Sequence, residues 1–164
     1  LIREIIDADG RVVAGFEPQT TDIRDAIREY WQREKGEPYP ETLDETLRIV
    51  QAGMRAAVTI EGGTARAAQE NFLPYVPVAG KTGTAEFCDN IAAALEQCVP
   101  GNWPAHAWYM GYAPYGSPEI SVIAFVYNGN EGSIVALPVA SQVMDAYFRL
   151  KTERAIEQQM ESQP

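Results

Sequence analysis

The sequence predicts an α+β domain in which an antiparallel sheet of three strands is covered by helices. Strand-like segments follow one another at 76–87, 106–113 and 120–127. Tyr115-Gly116-Ser117-Pro118 supplies a turn between the last two, which makes that pair antiparallel. Helical spacing of apolar residues at 43–58 and near the end of the chain predicts the helices that cover the sheet.

The composition is that of a globular protein, and its charge argues against one class of partner. Apolar residues make up 46% and charged residues 22% of the chain, so a packed core rather than disorder is expected. The net charge of −10 argues against nucleic acid, because phosphate binding requires a basic face. No run of about 18 apolar residues occurs, so no segment present is expected to span a membrane.

Residues 1–40 are predicted to form a peripheral lobe made of a hairpin and a helix. Asp9-Gly10 lies between Ile-rich and Val-rich runs, which is a hairpin signal over residues 1–17. Thr21 is predicted to cap a helix that stops at Gly36. The chain opens at Leu1 in strand-like sequence rather than at Met, so it is expected to be a fragment of a longer protein.

Residues 41–150 are predicted to contain the sheet and its flanking helices. Thr42 and Glu45 fit a capping box at the start of the first of these helices. Residues 64–74 show no clear period and are assigned to a loop, and a short helix is predicted at 90–97. Both faces of the 120–127 strand are nearly all apolar, which predicts a central strand that is covered on both sides.

A C-terminal helix with Pro138 in its first turn is predicted to close the domain. Its expected buried stripe consists of Val139, Val143, Met144, Tyr147 and Leu150. The sequence becomes polar after Lys151, so residues 151–164 are predicted to fray as a tail.

Gly80-Lys81-Thr82-Gly83-Thr84 is the segment with a chemical signature, and three interpretations compete. A phosphate-binding loop would require a glycine where Tyr75 stands, and a helix afterwards instead of extended sequence. An ordinary exposed strand is the second interpretation. The third is the substrate strand of a serine acyltransferase of the penicillin-recognising type, in which a Lys-Thr-Gly signature lies at a strand edge.

The third interpretation explains the residue types of the motif. Lys81 would place a positive charge beside the site, and Thr82 and Thr84 would offer hydroxyls to a carboxylate. Gly83 lacks a side chain, so a substrate peptide could lie against the backbone. The amide of Thr84 is predicted to be one donor of an oxyanion hole.

The segment 78–86 resembles the third motif of class B penicillin-binding proteins, and the residues of the motifs are most similar to those of penicillin-binding protein 2. The flanking segments resemble the same family in order and spacing along most of residues 1–150. They are 53–58, Gly62-Gly63-Thr64-Ala65, 106–114 and 136–140. The resemblance implies a partial penicillin-binding or β-lactamase-like transpeptidase fold, with 1–164 as the C-terminal part of the transpeptidase domain.

The resemblance also implies an activity for the longer protein. A serine-type D,D-transpeptidase attacks a D-Ala-D-Ala stem peptide, forms an acyl-enzyme and passes the acyl group to an amine. β-Lactams acylate the same serine. None of the five serines begins the family's S-x-x-K or S-x-N motif, so the chain alone is expected to be inactive. A non-catalytic module on the same scaffold, which senses β-lactams or binds peptidoglycan, is the alternative.

The family also implies where the longer protein works and with which partners. It would be anchored by an N-terminal helix at the outer face of the bacterial cytoplasmic membrane, beside a membrane glycosyltransferase of cell elongation. Peptidoglycan stem peptides and β-lactams are the implied ligands.

The cysteines allow two interpretations from the sequence alone. Cys88 and Cys98 are ten residues apart, and they are either free buried thiols or a disulfide that closes a small loop. With His106 as the single histidine they supply too few ligands for zinc, so neither metal nor cofactor is predicted. The family's location outside the cytoplasm implies the disulfide.

Overall fold

The structure, a computed structural model, describes residues 4–17, 22–37 and 42–161. The chain divides into two compact units, Leu1–Thr46 and Leu47–Pro164. Among the described helices, none combines the length and the apolar character that crossing a membrane requires.

The first unit contains a hairpin and a helix. Strands β1 (Glu4–Ile6) and β2 (Val12–Gly15) pair antiparallel, which confirms the predicted hairpin. Gly10 takes a left-handed φ of 80° in the turn, and the Asp7 carboxylate accepts hydrogen bonds from the turn amides.

Helix α1 (Ile23–Lys35) of the first unit ends as predicted, with Gly36 in a left-handed conformation. Its N-cap is Asp22, whose carboxylate accepts from the amide of Arg24 at 2.8 Å. The predicted cap, Thr21, lies outside the described residues. Asp22 is the extended residue directly before the helix, and its carboxylate reaches the second helical amide.

The second unit is built on the predicted antiparallel sheet of three strands. These are β3 (Ala79–Glu86), β4 (Ala105–Ala113) and β5 (Ile120–Val126), in the order β3-β4-β5. The prediction that 120–127 is central is wrong, because β4 occupies the centre. Ile123 and Phe125 of β5 are 66% and 48% exposed, so an apolar composition on both faces does not here mean burial on both faces.

Helices and one irregular turn precede, separate and follow the strands of the sheet along the chain, and the last helix packs on β4 and β5. Helix α2 (Leu43–Thr59) begins where predicted, and α3 (Asn90–Ala94) is the predicted short helix. A π-helical turn at Ala68–Phe72 occupies the segment assigned to a loop. Helix α4 (Ala136–Glu161) continues to Glu161, so the prediction of a frayed tail from Lys151 is wrong for the described residues.

The buried face of α4 differs from the predicted stripe, of which Met144 alone is buried. Small side chains, at Ala136, Ala140 and Ser141, let the helix lie close to the sheet beside Leu137 and Phe148. The apolar residues of the predicted stripe lie on another side of the same helix, where Val139, Val143 and Leu150 are exposed. Apolar residues on two sides of a helix leave its buried side undetermined by periodicity.

One core cluster lies between the sheet, α4 and the segment that follows α2. Its largest fully buried side chains are Val58, Leu73, Val78, Tyr109, Leu137 and Met144.

Candidate substrate site on the motif strand

The Lys-Thr-Gly motif lies on β3, an edge strand of the described sheet. Lys81 pairs with Met110 and Thr82 pairs with Tyr109 in the antiparallel register. The prediction that the motif strand lies toward one edge is therefore confirmed. The phosphate-loop interpretation fails, because Thr82 is within a strand and not in the first turn of a helix.

Alternation along β3 sends the motif side chains to two faces. Lys81 and Gly83 share one face, and Thr82 and Thr84 share the other. The strand therefore separates a cationic side from a hydroxyl side, and its backbone lies between them.

Lys81 lies on an open apolar groove of about 260 Å³, as predicted. Its Nζ donates to the backbone carbonyl of Thr82 at 2.7 Å, and the residue is exposed to solvent. The groove is lined by motif residues together with Trp108, Met110 and Ile123. The ammonium group is thus available for a ligand that lies along the strand.

Thr84 lines a second groove of about 490 Å³, with residues of the loop between β5 and α4. Gly132 fixes this loop against the motif strand. A Cβ atom on Gly132 would stand 2.5 Å from the carbonyl oxygen of Gly83 and 2.2 Å from that of Trp108. Asn130, which also lines the groove, takes a left-handed φ of 65°. The loop thus forms a wall beside Thr84, and the roles assigned to Thr84 stay predictions.

Thr82 contacts a residue that the sequence interpretation did not assign to the site. Its Oγ1 lies 2.8 Å from Oγ1 of Thr64, in the loop after α2. The Gly62-Gly63-Thr64-Ala65 pattern was a signal for this loop, but spacing alone does not show which strand such a loop touches.

A polar network, also missed from the sequence, fixes the chain just before β3. Arg55 of α2 donates to the side-chain carbonyl of Gln69 at 2.7 Å and to the backbone carbonyl of Val78. Gln69 accepts from the amide of Val78 at 3.1 Å and donates to the carbonyl of Val76 at 2.9 Å. These bonds satisfy backbone groups of Val76 and Val78, which lie just before β3 and have no described partner strand on the free edge of the sheet.

Tyr109 packs beneath the motif strand from β4. Its side chain is fully buried, and its hydroxyl has no hydrogen-bond partner among the described residues. Burial raises the pKa of this phenol above its usual value, since the charged form would lose its hydration. A Cβ atom at Gly80 would lie 2.2 Å from the Tyr109 hydroxyl, so glycine at that position makes room for the ring.

A disulfide follows the motif strand directly. Cys88 and Cys98 are bonded, with Cα atoms 5.6 Å apart, and the loop between them contains α3. Asp89 caps α3, and the hydrogen bond from the Ala92 amide lowers the pKa of its carboxyl group. The disulfide therefore closes a small loop at the end of the candidate site.

His106 occupies a packing position beside this loop. Its ring stacks on Phe87 with centroids 3.7 Å apart, and its Nδ1 accepts from the amide of Asn128 at 3.2 Å. One ring nitrogen is thus engaged by the backbone, and the ring packs against an aromatic neighbour.

Comparison with known proteins identifies the class to which this fold and motif strand belong. The family model for the penicillin binding protein transpeptidase domain matches residues 16–145. The chain therefore belongs to that family, and the predicted class B penicillin-binding protein transpeptidase domain is confirmed.

Two curated relatives are similar over part of the chain. Peptidoglycan D,D-transpeptidase PbpA of Mycobacterium tuberculosis is 32% identical over 106 residues, which are 60% of this chain and 20% of the relative. Peptidoglycan D,D-transpeptidase MrdA of Haemophilus influenzae is 35% identical over 105 residues, 58% of this chain and 15% of the relative. The matched part of the chain thus spans a fifth or less of each relative's length.

A solved structure supports the same fold. The penicillin-binding protein PBP2 from Helicobacter pylori aligns with a TM-score of 0.50 and 20% identity, over 70% of this chain and 18% of that one. At this identity the likeness concerns the fold, and it agrees with the predicted α+β class.

Proposed function

We propose that the chain is the substrate-strand part of a serine-type peptidoglycan D,D-transpeptidase, which cross-links stem peptides and binds penicillin covalently. The observation that carries the proposal is the placement of the motif on an exposed strand edge, with Lys81 on one side and Thr82 and Thr84 on the other. A peptide that ends in a carboxylate would pair with the strand backbone, as β-strand addition requires. Its carboxylate would accept hydrogen bonds from the threonine hydroxyls.

The proposed reaction has two steps. A serine hydroxyl attacks the carbonyl carbon between two D-alanines, the C–N bond breaks, and the terminal D-alanine leaves with the serine's proton. An amine of a second stem peptide then attacks the carbonyl carbon of the acyl ester, the C–O bond to the serine breaks, and a proton of the amine returns to the serine oxygen as the cross-link forms. The Thr84 amide would donate to the oxyanion in both steps.

The serine would come from another part of a longer protein. The sequence contains five serines, and none is followed at the third position by lysine. Lys81 would contribute charge beside the nucleophile but does not replace it, because attack requires a hydroxyl that is made nucleophilic by a nearby base.

Location and partners follow as part of the same proposal. The protein would work at the outer face of the bacterial cytoplasmic membrane, anchored by a helix outside this sequence. The Cys88–Cys98 disulfide supports that location, because disulfides persist in oxidising compartments. A membrane glycosyltransferase of the elongation machinery would supply the glycan strands whose peptides are cross-linked.

Covalent labelling tests the proposal. The complete protein and the 164-residue chain are incubated with a fluorescent penicillin, denatured and separated on a gel. We expect a stoichiometric labelled band for the complete protein and none for the chain. Reversible binding without a covalent band in the complete protein would favour the non-catalytic module. A labelled band for the chain alone would mean that one of its own serines is the nucleophile.

A further inference from the structure

We propose that Thr64 is a positioning residue that orients the Thr82 hydroxyl toward a bound carboxylate, an inference that rests on the proposed function. The two Oγ1 atoms lie 2.8 Å apart, a typical hydrogen-bond distance between hydroxyls. Thr64 belongs to the loop after α2 and not to the sheet. The contact therefore connects a separate segment of the chain to the hydroxyl side of the motif strand.

The backbone of Thr64 is held on both sides. A Cβ atom at Gly63 would stand 2.4 Å from the carbonyl oxygen of Ala57, so only glycine lets the loop approach α2 so closely. Ala65 is fully buried, and its amide donates to the same Ala57 carbonyl at 3.0 Å. Because both neighbours of Thr64 are fixed against one turn of α2, its side chain has a defined direction toward β3.

The direction of the hydrogen bond follows from what a carboxylate can accept. A hydroxyl carries one hydrogen and two acceptor lone pairs, whereas an ionised carboxylate only accepts. If Thr82 donated to Thr64, its single hydrogen would be used and it would present only lone pairs to the ligand. The productive arrangement is the reverse, in which Thr64 donates to Thr82 and Thr82 donates to the carboxylate.

This arrangement has two consequences for binding. The hydrogen bond from Thr64 occupies one lone pair of the Thr82 hydroxyl, so the Thr82 hydrogen takes one of the two other staggered positions, which point away from Thr64. It also polarises the Thr82 O–H group, which strengthens the bond that this group donates in turn. A purely structural role would be small, because the contact is exposed and water can replace such a bond.

The test measures acylation of the complete protein by benzylpenicillin and by its methyl ester, which lacks the carboxylate charge. We expect Thr64→Val to slow acylation by the free acid about 3- to 10-fold, the effect of one hydrogen bond. The rate with the ester should stay within about twofold, because Thr64 acts through the carboxylate contact. Thr64→Ser keeps the hydroxyl and should restore the rate with the free acid.

Two further variants separate positioning from a general effect. Thr59→Val is the matched control, since the exposed Thr59 hydroxyl donates at 2.9 Å to the Arg55 carbonyl within α2. It should leave both rates unchanged. Thr64→Val combined with Thr82→Val should be no slower than Thr82→Val alone, because both changes remove the same contact.

The outcomes distinguish this inference from the proposed function. If wild-type protein is acylated and Thr82→Val is slow while Thr64→Val acylates normally, the inference is wrong and the proposed function stands. Equal slowing with acid and ester, or additive effects in the double variant, would also overturn it. If the wild-type protein is not acylated at all, the proposed function fails. Should Thr64→Val not fold, Thr64→Ala is measured in the same way and decides the question.

Discussion

The guanidinium of Arg55 donates to the backbone carbonyl of Val78, immediately ahead of the motif strand. Arg55 also bonds Gln69, and Gln69 in turn bonds the Val78 amide. Helix α2 and the π-helical turn thus hold the residue before β3 through the side chains of Arg55 and Gln69. On this edge of the sheet no described strand pairs with β3. The position of Lys81 depends on this anchor, because Lys81 follows Val78 by three residues, within β3.

Replacement of Arg55 by methionine keeps an unbranched apolar stem and removes the donors of the guanidinium. The Val78 carbonyl would lose a partly buried donor, which costs about 1–3 kcal/mol for an unsatisfied group, and the Gln69 oxygen would keep only its bond from the Val78 amide. We expect a lower thermal midpoint of the complete protein and slower acylation by penicillin. Arg154→Met, on an exposed part of α4, should change neither quantity, and equal effects of the two variants would contradict the anchor.

Gly132→Ala tests whether the loop between β5 and α4 is fixed to the motif strand. The added methyl group would meet the backbone oxygens of Gly83 and Trp108 at 2.5 Å and 2.2 Å. Backbone cannot move aside cheaply, so we expect a loss of about 1–3 kcal/mol and an altered groove beside Thr84. The matched control is Gly116→Ala, where a Cβ atom meets nothing within 4 Å. Thermal denaturation that ranks the two variants alike would refute the close approach.

The parts of the fold that depend on local signals could be predicted from the sequence. The Asp9-Gly10 turn, the Gly36 helix end and the extended character of the motif segment are each encoded within a few residues. The alternation of buried and exposed residues along β4 could be predicted from the two-residue period of that segment alone. Its buried residues, such as Ala107 and Tyr109, do alternate with more exposed ones.

The remaining features depend on contacts between distant segments. Val139 and Met144 are both apolar, and only the packing of α4 on the sheet decides that Met144 is buried and Val139 exposed. Thr64 lies 18 residues from Thr82, and no local pattern indicates that their hydroxyls meet. The candidate motif could therefore be found from the sequence, whereas the residues that hold it in place could not.

Tyr109→Phe should leave the protein as stable as wild type at neutral pH or make it more stable. The hydroxyl is buried without a partner among the described residues, and an unsatisfied buried polar atom costs about 1–3 kcal/mol. The aromatic ring, which fills the space beneath Gly80, is retained. Tyr127→Phe is the control, since its exposed hydroxyl donates to Asp89 at 2.9 Å and its removal should not stabilise the protein.

The same phenol predicts a dependence on pH. Burial raises the pKa of Tyr109 in the folded state above the ordinary value of 10.0, so at high pH the unfolded chain releases this proton first. The contribution of the Tyr109 phenol to the free energy of unfolding is therefore fully present below about pH 10 and is lost as the pH rises through the folded-state pKa. Thermal midpoints between pH 8 and about 11 should fall less steeply for Tyr109→Phe than for wild type. Parallel curves would mean that Tyr109 titrates normally.

Reduction of the Cys88–Cys98 disulfide should weaken the loop at the end of β3. The bonded cysteines are separated by 10 residues, and closure of so short a loop contributes about 2–3 kcal/mol. Mass spectrometry of unreduced protein should find the two residues linked in one peptide pair. The double variant Cys88→Ser and Cys98→Ser should melt at a lower temperature, and a reducing agent should lower the wild-type midpoint but not that of the variant. Recovery of both cysteines as alkylated free thiols from unreduced protein would exclude the bond.

Thr84→Val in the complete protein should impair acylation by penicillin far more than it impairs folding. Valine keeps nearly the same shape and favours a strand, so the register of β3 with β4, in which Thr84 faces Ala107, should persist. The lost hydroxyl removes a hydrogen bond to a charged carboxylate, worth about 1.5–3 kcal/mol, which corresponds to a rate loss of about 10- to 100-fold. The Thr84 amide is retained, so the oxyanion contribution should remain and some acylation should still be seen.

Stopped-flow acylation beside a thermal melt checks the prediction. Thr46→Val is the control, since the Thr46 hydroxyl is exposed and donates to the Thr42 carbonyl at 3.0 Å. An unchanged rate in Thr84→Val would remove this hydroxyl from the site and leave Thr82 as the motif's hydroxyl donor to the carboxylate.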